Sequence, residues 1–136
     1  MIKYVVGFLF SKDIKNVLLI EKTKPDWQKG SLNGVGGKVE EGETPLDAMI
    51  REFQEEAALK ITEWNHCVVI TGDGFVVDFY RAFSDDIYQA TSLTEEQIQV
   101  CDTFSLPNNV IYNLKWIIPF CLDNNSQKPM NITHIK

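Results

Sequence analysis

Between Thr44 and Leu59 the chain writes two different faces onto one predicted helix. Leu46, Met49, Ile50, Phe53 and Ala57 recur at helical spacing and form an apolar stripe. Glu52, Glu55 and Glu56 occupy positions i, i+3 and i+4, which share a face at about 100° per residue. Thr44 is a good N-cap, Pro45 suits the first turn where its missing N–H costs nothing, and Asp47 complements the helix dipole. One side of this helix must therefore meet a core, while the other gathers carboxylates. Like charges so placed repel by about 0.2–0.5 kcal/mol per pair. A helix gains from the arrangement only beneath a strong positive charge, and oxygen-only ligation points to Mg²⁺ or Mn²⁺.

The rest of the chain supplies strands for that helix to pack on. Ile2–Phe10 and Asn16–Glu21 are β-rich and are split by the polar Ser11-Lys12-Asp13, which predicts a hairpin. Lys22–Ser31 reads as a polar loop and Leu32–Val39 as a short, glycine-punctuated run. Trp64–Thr71 and Phe75–Phe83 flank the tight-turn signal Gly72-Asp73-Gly74, and Ile98–Leu106 is a further strand candidate. Val110–Leu122 places Leu114, Ile117, Ile118 and Cys121 on one face of a second helix, with Pro119 marking a kink or a late start. Strands interleaved with two helices predict an α/β layered fold around a mixed sheet. No repeat, low-complexity tract or linker divides the chain, so 1–136 is expected to be one domain.

Composition narrows the partners. A net charge of −6 speaks against nucleic acid, which asks for a basic stripe. The charge is uneven, however: lysines dominate up to Lys38, and acids from Glu40 to Glu56. A small polyanion held through metal suits the meeting of those regions. The apolar opening Tyr4–Phe10 is too short to span a membrane. Cys67, Cys101 and Cys121 are odd in number and lack any C-x-x-C pair, which predicts reduced, buried thiols in a cytoplasmic protein. The oligomeric state is open between monomer and homodimer.

The run Gly37–Leu59 resembles the signature of the Nudix (MutT-like) hydrolases, G-x5-E-x7-R-E-U-x-E-E-x-G-U, where U is bulky and apolar. Gly37, Glu43, Arg51, Glu52, Phe53, Glu55, Glu56 and Leu59 fall in register. Ala58 stands where the pattern has its second glycine, which suggests that the helix runs a residue or two further. The resemblance implies the α/β/α sandwich of that family and Mg²⁺-dependent hydrolysis of a phosphoanhydride. It implies that Glu55 and Glu56 ligate metal, and that Glu52 is either a further ligand or the general base. The backbone carbonyl of Gly36 or Gly37 completes the shell, and Arg51 pairs with Glu43 to hold the loop against the helix. A distal carboxylate is often added from far down the chain, and Glu96 is the choice over Glu95 and Asp102.

The family resemblance also bears on substrate. Proline is absent at position 75, where ADP-ribose hydrolases carry it, and Val76 and Val77 replace the tyrosine of dinucleoside polyphosphate hydrolases. The extended NADH-hydrolase motif is missing too. Elimination leaves a nucleoside triphosphate. Leu32–Lys38 resembles the same segment in oxidised purine nucleoside triphosphatases, which assigns Asn33 to the base. Lys38 is the candidate phosphate contact, and Trp27 and Trp116 are candidate stacking surfaces. A capped or 5′-phosphorylated RNA end, another diphosphate conjugate, and a non-catalytic nucleotide sensor are the alternatives.

Overall fold

Alternation along the first two strands decides the layering. In β1 (Ile2–Phe10) Val5 and Leu9 face one way and Phe8 and Phe10 the other; in β2 (Asn16–Glu21) Leu18 and Ile20 oppose Val17 and Leu19. All eight are buried, so this part of the sheet is covered on both sides. The computed structural model describes residues 1–135, leaving Lys136 outside the described residues. Its further elements are β3 (Leu32–Asn33), β4 (Val35–Lys38), α1 (Pro45–Ala57), β5 (Asn65–Gly72), β6 (Phe75–Phe83), β7 (Ile98–Asp102), α2 (Leu114–Leu122) and β8 (Met130–Thr133). The main strand order is β3-β2-β1-β6-β5-β8, with β4 also pairing β1 and β7 also pairing β2. β1 and β6 run parallel from Ile2–Phe75 to Phe10–Phe83, while β4 lies antiparallel to β1 with Val5 opposite Gly37. The sheet is therefore mixed and sandwiched between two cores, one carrying α1 and the other α2.

Helix α1 starts as expected, with Thr44 Oγ1 accepting from the Asp47 amide at 3.1 Å. Its buried residues are Ala48, Met49, Phe53 and Ala57, whereas Leu46 remains 39% exposed. The helix is thus rotated from the expected stripe, so that Ala48 and its i+4 neighbour Glu52 turn toward the sheet. Gly7 permits close approach here: a Cβ on it would lie 2.6 Å from Met49 Cε. Phe53 packs tilted on Trp64 with ring centroids 5.2 Å apart, and burying such a side chain contributes about 1.5–3 kcal/mol.

Other expectations needed correction. The helix does not run past the missing glycine; it stops at Ala57, and Ala58 itself adopts the left-handed conformation at φ 62°. Its N–H then returns to the Gln54 carbonyl, closing the helix as a glycine would. Leu32–Val39 divides into two short strands, and the strand expected over Ile98–Leu106 ends at Asp102. Helix α2 starts late, at Leu114, because Val110 and Ile111 are engaged with Leu32. The 3-10 turn Asp85–Gln89 and strand β8, parallel to β5, were not anticipated. No helix among the described residues is long and apolar enough to cross a membrane.

Candidate active site

Arg51 organises the carboxylates. It leaves the middle of α1 and donates to Glu43 through Nε (2.7 Å to Oε2) and Nη2 (2.9 Å to Oε1), a two-point grip suited to a planar guanidinium. Nη2 also donates to the Lys38 carbonyl at 3.1 Å. Glu43 Oε1 in turn accepts from the Glu40 amide. The loop from β4 into α1 is therefore fastened to the helix by one side chain. Hydrogen bonding to Arg51 holds the Glu43 carboxyl below its ordinary range, and Glu43 raises the already high Arg51 value further.

The remaining terminal nitrogen of Arg51 faces the acid side. Nη1 lies 2.9 Å from Glu52 Oε1 and 3.2 Å from Glu55 Oε2. Glu52 is the more enclosed, at 13% side-chain exposure against 56% for Glu55. Its carboxylate rests on Gly37: a Cβ there would meet Glu52 Oε1 at 2.4 Å and Oε2 at 2.7 Å. Burial pushes the Glu52 carboxyl up; Arg51 opposes the shift without cancelling it, and Glu55 and Glu56 add to it. Glu56 is half-buried and accepts from Thr94 Oγ1 at 2.7 Å.

Thr94 ties this cluster to the segment carrying Glu96, whose own amide donates to Thr94 Oγ1 at 3.2 Å. Glu96 is buried and takes three donors, Lys22 Nζ at 3.0 Å, the Thr23 amide at 2.6 Å and Thr23 Oγ1 at 3.0 Å. Burial raises its carboxyl, but these donors together hold it below the ordinary value. With both oxygens engaged, Glu96 fits an anchor for Lys22 better than a distal metal ligand.

A groove runs from Gly37 along the sheet. Its first section, about 250 Å³, is lined by Lys22, Lys24, Gln28, Asn33, Gly36 and Gly37 among others. It continues through Tyr4, Pro25 and Gln28 to Trp27 and Phe75, and these two also border a hollow of about 400 Å³ with Tyr112, Trp116 and His134. Trp27 is 70% and Tyr112 74% exposed. The expected residues Asn33, Gly37 and Trp27 are therefore strung along one groove. Lys38 is not with them: it borders a separate polar hollow with Met1, Lys3 and Glu40–Glu43. Sequence reasoning missed Lys22, Lys24, Gln28 and Tyr4, whose only signals were membership of the basic first third and its aromatic content.

Glu52, Glu55, Glu56 and the main chain at Gly37 could supply all-oxygen donors, the chemistry of a hard divalent cation. Among the described residues no three acidic, histidine or cysteine side chains converge as a ready cage, since Glu52 and Glu55 are turned toward Arg51 and Glu56 toward Thr94. The side chains fit such an ion in kind, with Arg51 as their present counter-charge.

Comparison with known proteins agrees with this geometry. The family model for the NUDIX domain matches residues 2–117. The structure of MutT described for Aliivibrio salmonicida and Vibrio cholerae is similar at 25% identity and TM-score 0.70, covering 88% of this chain and 96% of that one. A NUDIX hydrolase from Nitrosomonas europaea aligns at 18% identity and TM-score 0.75, over 98% of this chain and 79% of that one. The NUDIX domain of Shewanella oneidensis NrtR, complexed with ADP-ribose, aligns at 16% identity and TM-score 0.71, over 87% and 84%. Nudix hydrolases generally use a divalent metal, and small nucleotides are the ligands of this family. With an arginine-braced acid helix set over a glycine strand in a mixed sheet between two helices, this chain belongs to the NUDIX domain family and is a Nudix pyrophosphohydrolase.

Proposed function

We propose that the protein hydrolyses a purine nucleoside triphosphate, in particular an oxidised one of the 8-oxo-dGTP type, to the monophosphate and pyrophosphate with Mg²⁺ (Mn²⁺ substituting). The observation that carries this reading is the groove, which runs from Gly37, the strand residue beneath Glu52, past two lysines to exposed aromatics. That order matches the parts of a nucleotide: a phosphoanhydride at Glu52 and Gly37, further phosphate charge at Lys22 and Lys24, and a base against Trp27 and Trp116. Glu55 and Glu56, with the Gly37 carbonyl, would hold the cation, which when bound neutralises phosphate charge and acidifies water, and Glu52 would serve either as a further ligand or as the general base.

The chain's own residues do the rest. The raised affinity of Glu52 for a proton suits it to accept one from the attacking water. Arg51 fixes the rotamers of Glu52 and Glu55, and Glu43 fixes Arg51. Glu96 holds Lys22 toward the groove, and Asn33 lies beside the base path. Water adds to one phosphorus as the bridging oxygen departs with pyrophosphate. The buried, unpaired thiols Cys67, Cys101 and Cys121 support a cytoplasmic setting.

The test is a product-resolved screen of canonical and oxidised nucleotides with Mg²⁺, using Glu55→Gln as control. A loss of at least about a hundredfold is expected, the scale of removing one electrostatic stabiliser. Near-normal turnover in that variant overturns the ligand assignment.

A further inference from the structure

Asn33 and Gln28 form a side-chain pair whose polar ends can be assigned without choice. The Gly34 amide N–H meets Asn33 at 2.7 Å, and because a backbone N–H can only donate, the atom facing it must be Oδ1. Asn33 therefore turns Nδ2 toward Gln28, at 3.2 Å from Oε1. An amide nitrogen only donates, so Gln28 must face Asn33 with its oxygen. Its Nε2H₂ group then points away from Asn33, and among the described residues it has no protein acceptor. Gln28 is half-buried and lines the groove both beside Lys22 and Lys24 and beside Trp27 and Phe75. A donor-only group of fixed orientation is thus held where the phosphate section gives way to the aromatic section.

We infer that Gln28 is a specificity-determining residue that selects purines presenting a carbonyl over those presenting an amine at C6. The inference rests on reading the groove as a nucleotide site. A base stacked on Trp27 brings its edge alongside Gln28, one residue on. A 6-carbonyl accepts the Nε2 N–H. A 6-amino group sets donor against donor, leaving both without a partner once water is excluded. Asn33 acts here as a positioning residue, transmitting the orientation of the Gly34 amide to Gln28, while keeping one N–H and one lone pair for the ligand.

Inosine and adenosine nucleotides isolate this edge. For the triphosphates with Mg²⁺, the wild type should favour inosine in kcat/KM by about tenfold. Gln28→Met, of similar length and without a donor, should bring that ratio to about twofold or less, and Gln28→Glu, which offers an acceptor, should reverse it. The monophosphates without metal give a second readout. Inosine monophosphate should shift the Gln28 side-chain amide resonance in a ¹H–¹⁵N spectrum, and adenosine monophosphate should shift it far less. Retention of the wild-type ratio in Gln28→Met overturns the inference, as does equal wild-type use of both bases. If no purine nucleotide binds or is hydrolysed, the nucleotide reading itself falls, and this inference with it.

Discussion

The Glu52 carboxylate lies on the Cα of Gly37, so close that a methyl group there would stand 2.4 Å from Oε1. A side chain at this point would have to push the Glu52 carboxylate aside, while the backbone angles of Gly37 make no demand of their own. Gly37→Ala should displace Glu52 from β4 and lower turnover by about a hundredfold or more, as for loss of a placed catalytic group. Destabilisation should stay within about 1–3 kcal/mol, the usual cost of overpacking. Steady-state kinetics beside a urea titration would separate the two effects. Wild-type turnover in a folded variant would show that the Glu52 position is immaterial.

Ala58 sits in left-handed backbone at φ 62°, a conformation costing an L-residue about 1–2 kcal/mol. Ala58→Gly should remove that strain while adding freedom to the unfolded chain, for a net gain of about 0.5–1 kcal/mol. Thermal unfolding should show a Tm rise of about 2–5 °C. An unchanged or lower Tm would mean that the helix end relaxes by another route.

The Lys22–Glu96 pair predicts an acid-sensitive component of stability. The Glu96 carboxyl is held below its ordinary value of 4.5 in the fold, so its contribution is complete above that value and lost as pH falls through the lower folded one. Glu96→Gln should therefore cost about 1–2 kcal/mol at pH 7, with the gap to wild type closing below about pH 4.5. The same variant should raise KM with little change in kcat, because it loosens Lys22. A collapse of kcat with altered metal dependence would instead identify Glu96 as a ligand.

What could be read in advance was local. The capped start of α1 and its acid side depend on residues within about two turns, where helical spacing dictates who meets whom, while the Arg51–Glu43 grip followed from the family resemblance. The groove was legible only in outline. Lys22 and Gln28 reach it because β2 and β3 carry their loop beside β4, and Thr94 reaches Glu56 across 38 positions of sequence. Such meetings depend on strand order, which periodicity does not encode. β8 was missed for a different reason: Met130–Thr133 is short, half exposed and weakly patterned, and it is a strand only because β5 offers an edge. Ala58 misled because a missing glycine suggested a longer helix, whereas alanine itself takes the left-handed conformation here and closes α1.

The parallel seam between β1 and β6 joins opposite halves of the sequence. During synthesis the α1 segment leaves the ribosome well before β6 exists to support β1. The active-site helix has its own supports, β1 and β4, already made ahead of it, whereas the parallel seam must wait for a long loop to close, which places the slow step in the sheet. Ribosome-bound fragments ending ahead of Phe75 would already carry the Arg51 brace for Glu52 and Glu55 but still lack Thr94, the partner of Glu56.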